Sequence, residues 1–79
     1  MLEAIPRSSH IVGLKQTSRA IKENQVRLVY LANDCDQNIK NQVHELCLEG
    51  GVECIEEHTM AELGKSCGID VGASVVGLI

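Results

Sequence analysis

Aromatic side chains are almost missing from this chain: Tyr30 stands alone, with no tryptophan and no phenylalanine. Surfaces that hold single-stranded nucleic acid by stacking gain about 1–3 kcal/mol per base, so the lack of aromatics counts against a stacking platform. Cations are scarce too, seven lysines and arginines against eleven carboxylates for a net charge of −4. A body of that sign repels polyanions over most of its surface. No apolar run approaches the roughly 20 residues that span a bilayer. The opening MLEAIPRSSH also lacks the apolar stretch of a secretory signal, so the cytoplasm is the expected address. Cys35, Cys47, Cys54 and Cys67 form no C-x-x-C unit, the spacing typical of zinc and redox sites. They read as reduced thiols, with Cys47 and Cys54 packing as small hydrophobes. Neither a metal nor a cofactor is expected.

The 79 residues make one domain, with residues 1–10 as a short N-terminal extension. A chain this short buries only about 60% of the surface its unfolded form exposes, so its core has little to spare. Charge is unevenly spread. Residues 1–30 hold Arg7, Lys15, Arg19, Lys22 and Arg27 against Glu3 and Glu23, whereas the remainder sets Lys40 and Lys65 against nine carboxylates. The first part is therefore +3 and the second −7, which suggests a local anion-binding face on an acidic body.

Ile11-Val12 suits a short strand ending at Gly13, after which Leu14, Thr17 and Ile21 recur with helical spacing. The run Val26 to Ala32 is β-branched and almost continuously apolar, as in a strand covered on both faces. Asp36 is a natural N-cap for a helix carrying Ile39, Val43, Leu46 and Cys47 inward and stopped by Gly50-Gly51. Val52 to Glu56 reads as a third strand. Thr59 and Glu62 match a capping box for a short helix that turns Met60 and Leu63 inward and ends near Cys67-Gly68. Ala73 to Ile79 is a final strand. Strands alternating with helices at this spacing imply an α/β sandwich around a small sheet.

One helix is unusual. Lys15, Arg19 and Lys22 fall on one stripe of it, with Gln16 beside Lys15 in the first turn. Cations at a helix N-terminus oppose the macrodipole by a few tenths of a kcal/mol, so Lys15 lowers stability unless an anion lies in front of it. Gly13 leaves room for that anion at the free amides. An ordinary solvated face is the alternative.

The stretch DCDQN places Asp34 and Asp36 just after a strand, where α/β folds bind ligands. That keeps open a small α/β enzyme or phosphoacceptor domain, although capping accounts for Asp36 more simply. A calcium loop fails because Ile39 stands where its glycine belongs. His10, His44 and His58 lie on different expected elements and suggest no catalytic set. In GIDVG, Ile69 and Val71 flank Asp70; two aliphatics in a loop either enter the core or await a partner.

GLKQTSRAI, VRLVYLANDCD and ELGKSCGIDVGASVVGLI, in that order from about Ile11 to Ile79, resemble the L-seven-Ae family of kink-turn RNA-binding ribosomal proteins, and most of all its small bacterial branch. The resemblance implies a three-layer α-β-α sandwich around a small mixed four-stranded sheet. It also implies a non-enzymatic monomer whose partner is kink-turn RNA, ribosomal or riboswitch, with no membrane. The helix after Gly13 would enter the widened groove of the kink. Lys15 and Gln16 would read guanine edges, and Arg19 and Lys22 would hold phosphates. The loop of Ile69, Asp70 and Val71 would cover splayed-out nucleotides. Archaeal members carry Asn-Glu in place of Lys15-Gln16, and Ala61-Glu62 stands where bacterial relatives often carry lysines; with the acidic body, this implies weaker RNA binding. A relative that keeps the fold and has lost RNA binding is the remaining alternative.

Overall fold

A computed structural model of the chain describes residues 10–68 and 72–79. Strand β1 (His10–Val12) leads through Gly13 into helix α1 (Leu14–Lys22); β2 (Leu28–Ala32), α2 (Gln37–Gly50), β3 (Glu53–His58), α3 (Met60–Ser66) and β4 (Val75–Leu78) follow. The four strands form one sheet in the order β1-β4-β2-β3. Strand β4 runs antiparallel to both β1 and β2, while β2 and β3 are parallel, joined by α2. The sheet is therefore mixed, and the strand made last lies inside it.

Period-two alternation divides the sheet's two faces. Val29 and Leu31 of β2 and Val75 of β4 pack with Ala20 and Ile21 of α1 and Val43 and Cys47 of α2. Ala32 and Val76 pack instead with Leu63 and Cys67. So α1 and α2 cover one face and α3 the other, giving three layers. None of the described helices is long and apolar enough to cross a membrane.

The helix boundaries follow their local chemistry. Asp36 Oδ1 accepts the Asn38 N–H at 2.8 Å, and Gly51 closes α2 in the left-handed conformation at φ 65°. Thr59 Oγ1 accepts from Glu62 N–H at 3.1 Å and Glu62 Oε1 from Thr59 N–H at 2.9 Å, completing the capping box. The Thr59 amide hydrogen bond holds the Glu62 carboxyl below the usual carboxylate range. Leu63 is buried as the helical spacing predicts, and Cys67 just past the helix is buried as well, whereas Met60 is only half-buried. Burial pushes the Cys67 thiol up. All four cysteines are free, Cys47 and Cys67 buried and Cys35 and Cys54 half-buried.

The strand expected from Val26 begins at Leu28. Asn24, at φ 59°, turns the chain back against α1, and the Gln25 N–H bonds to the Ala20 carbonyl. Val26 is buried beside Gly77 without joining the ladder. The last strand is likewise shorter than Ala73 to Ile79, with Ala73 tied to Met60 by a 3.0 Å backbone hydrogen bond.

Candidate nucleic-acid interface

Helix α1 opens with no side-chain cap and no acidic residue in its first turn. Its leading amides have no partner within the helix, so the positive end of the macrodipole meets solvent directly. Gly13 precedes it at φ 108°, ψ 150°, a conformation suited to glycine. A Cβ there would meet nothing among the described residues within 4 Å. The Gly13 N–H bonds to the Val75 carbonyl at 2.9 Å, which anchors the start of α1 to β4.

Lys15, Gln16, Arg19 and Lys22 are all exposed. Arg19 Nε lies 3.8 Å from Glu23 Oε2, with the arginine side chain 82% exposed; a pair so open to water stabilises little and leaves the guanidinium available. Among the described residues Lys15 and Lys22 enter no ion pair.

The row does not face open solvent alone. It forms one wall of a groove against α2. One hollow of about 440 Å³ is lined by Leu14, Lys15, Ser18, Arg19, Lys22 and Gln42. An adjoining one of about 360 Å³ is lined by Ser18, Lys22, Gln42, Glu45, Leu46 and Glu49. Sequence spacing found the cationic wall but missed Ser18, Gln42, Glu45 and Glu49. Their place depends on how closely two helices approach, a distance that no local pattern encodes.

Two glycines set that approach. A Cβ at Gly77 would sit 3.1 Å from Thr17 Cγ2 and 3.4 Å from both Val26 methyls. One at Gly50 would sit 3.1 Å from Ile21 Cγ2. Thus β4 and the end of α2 each let α1 settle closer than any larger residue would. Thr17 is 1% exposed, and its hydroxyl has no hydrogen-bond partner among the described residues.

Ile69, Asp70 and Val71 lie outside the described residues. Their flanks are described. Gly68 N–H bonds to the Lys65 carbonyl at 3.1 Å, and Gly72 packs against Met60, where a Cβ would come within 3.1 Å of the Met60 Cβ. The chain leaving this segment reaches Val75 and hence the anchor of Gly13.

Asp34 and Asp36 both serve as caps. Asp36 closes the start of α2, and Asp34 Oδ1 accepts the Met60 N–H of α3 at 2.8 Å. Ile39 packs against the core, in keeping with a helix start and not a calcium loop. The Lys40 ammonium donates to the Asn33 carbonyl nearby. On the far side of α2, His44 Nε2 and Glu56 Oε1 are 2.6 Å apart, with Lys40 Nζ 3.6 Å from Glu56 Oε2. These groups tie α2 to β3 and stand apart from the α1 groove.

Comparison with known proteins agrees with this architecture. A family model described as the ribosomal protein L7Ae/L30e/S12e/Gadd45 family matches residues 4–79. An RNA-binding protein of Caldanaerobacter subterraneus subsp. tengcongensis is 40% identical over 74 residues, covering 94% of this chain and 89% of the relative. An RNA-binding protein of Bacillus pumilus is 39% identical over 71 residues, covering 90% and 87%. A solved structure of a protein of unknown function from Bacillus halodurans superposes with a TM-score of 0.85 at 22% identity, covering 90% of this chain and 71% of that one.

Proposed function

Because the chain belongs to the ribosomal protein L7Ae/L30e/S12e/Gadd45 family, we propose that it is a non-enzymatic, cytoplasmic RNA-binding protein that recognises kink-turn RNA at the N-terminal end of α1. The observation that carries this reading is the uncapped start of α1, led by Gly13 at φ 108° and followed by Lys15, Arg19 and Lys22 on one exposed wall. A helix end of that kind favours phosphate. Similarity to relatives named RNA-binding proteins supports RNA as the source of the anion.

A regular RNA helix has a major groove too deep and narrow for side chains to read, so an entering helix requires a distorted target. Lys15 and Gln16, in the first turn, each carry donors for guanine O6 and N7. Arg19 and Lys22 stand one and two turns behind, as phosphate contacts. Ile69, Asp70 and Val71 cover the unstacked nucleotides, ribosomal or riboswitch, and a monomer suffices for all three roles. The capping bonds of Asp34 and Asp36 give both carboxylates a structural role and weigh against their use as an acid pair.

A gel-shift titration with a kink-turn duplex, and with the same duplex after its G·A pairs are changed to Watson–Crick pairs, tests the reading. Tighter binding to the first RNA is expected. Equal binding to both would overturn kink recognition, and binding to neither would overturn an RNA role.

A further inference from the structure

The groove between α1 and α2 has walls of opposite sign. Lys15, Arg19 and Lys22 line one side, and Glu45 and Glu49 line the other, with Lys22 bordering both hollows. Both carboxylates are exposed, and among the described residues neither enters an ion pair.

Their own helix gains nothing from them. Like charges at i and i+4 repel on a helix surface. Glu49 stands in the last turn of α2, where no basic residue offsets it and the macrodipole is negative. Their field falls instead on the groove. The hollow they share with Lys22 holds about 360 Å³, so its dimensions are on the order of the Debye length of about 8 Å at physiological salt. A phosphate resting on Lys22 therefore feels both carboxylates, whereas one at Lys15, about 10 Å further along the helix at 1.5 Å per residue, feels them much less.

We propose that Glu45 and Glu49 are specificity-determining residues: an anionic wall that rejects RNA continuing straight past Lys22 onto α2 and admits RNA that bends away from it. This rests on the proposed function and extends it, since α1 supplies attraction and base contacts and α2 adds a penalty against RNA that does not bend. Positive charge alone would hold any duplex. A penalty on the wrong partner adds to the specificity that base contacts give.

The test compares the wild-type protein, the double variant Glu45→Gln/Glu49→Gln and a control, Glu53→Gln/Glu57→Gln, which removes the same charge from exposed positions on β3. Each is titrated by fluorescence anisotropy with a kink-turn RNA and with a straight duplex of the same composition, after a melting curve confirms folding. Removing two like charges from within a Debye length should tighten the groove variant on straight duplex by roughly three- to tenfold, and on the kink-turn by less than about twofold. The control should leave the ratio between the two RNAs unchanged. Equal gains on both RNAs, no gain on either, or the same shift in the control overturns the wall. A wild-type protein with no preference for kinked RNA overturns the functional reading, and the wall with it, before any variant is compared.

Discussion

Replacing Gly77 with alanine should push α1 off the sheet. The added methyl would sit 3.1 Å from Thr17 Cγ2 and 3.4 Å from each Val26 methyl, all on buried residues. None of these atoms is the free end of a flexible chain, and Thr17 must give by a few tenths of an ångström inside a packed layer. Overpacking of this kind costs about 1–3 kcal/mol. The reduced freedom of the unfolded chain offsets about 0.4–1 kcal/mol of that, leaving a net destabilisation on the order of 1–2 kcal/mol. For a domain this small, each kcal/mol moves Tm by about 4–8 °C, well within the reach of thermal melting followed by circular dichroism. Thr17→Ser removes the methyl that the new Cβ would meet and keeps the hydroxyl. In that background Gly77→Ala should cost little, because the alanine methyl fills the space vacated by Cγ2. The double-mutant cycle should therefore show a coupling of about 1 kcal/mol or more, in the range of contacting residues. Additive effects, or a Gly77→Ala protein as stable as wild type, would refute the claim that this glycine sets the height of α1.

Other consequences are more direct. Arg19→Ala and Lys22→Ala should each lower the slope of log affinity against log salt by roughly 0.7–0.9, the share of a single phosphate, measured as RNA titrations at several salt concentrations; an unchanged slope in both removes them from the phosphate path. Lys15→Ala and Gln16→Ala should cost about 1–3 kcal/mol on a kink-turn and little on a plain duplex, whereas equal losses would reduce both to bulk charge or structure. The Glu62 carboxyl is held below its ordinary range by the Thr59 amide, so its contribution to stability is present above the unfolded carboxylate pKa and fades as pH falls through the lowered folded one. Glu62→Gln should flatten that part of the acid limb in melts between neutral and low pH, and an unaltered limb would show that the capping bond is independent of charge.

How much of this the chain discloses in advance depends on distance. Asp36 with Asn38, and Thr59 with Glu62, are partners within three residues, so helix starts could be read directly. The cationic row of α1 was legible for the same reason. Asp34 finds its partner, Met60 N–H, 26 positions away; its role as a second cap had no local sign, so a catalytic use of this strand-end carboxylate stayed open as the less simple reading. Val26 misled because burial and β-branching signal a strand whether or not a ladder forms; here α1 and Gly77 supply the burial. The acidic wall was hidden because Glu45 and Glu49 acquire meaning only when Gly50, beneath Ile21, lets α2 close on α1.

The interior position of β4 bears on when the protein becomes competent during synthesis. Among the described strands β1 pairs with β4 alone, and the peptide that starts α1 is held by the Val75 carbonyl. Chains emerge from the ribosome N-terminus first, at about 5–20 residues per second, so the earliest elements wait for one of the last. Until Val75 to Leu78 is outside the exit tunnel, β1 has no ladder and Gly13 no anchor, and closing the sheet means joining chain ends across a long loop. A nascent chain stalled short of β4 carries the complete basic row without its anchor to the sheet, so RNA recognition waits for the strand Val75–Leu78.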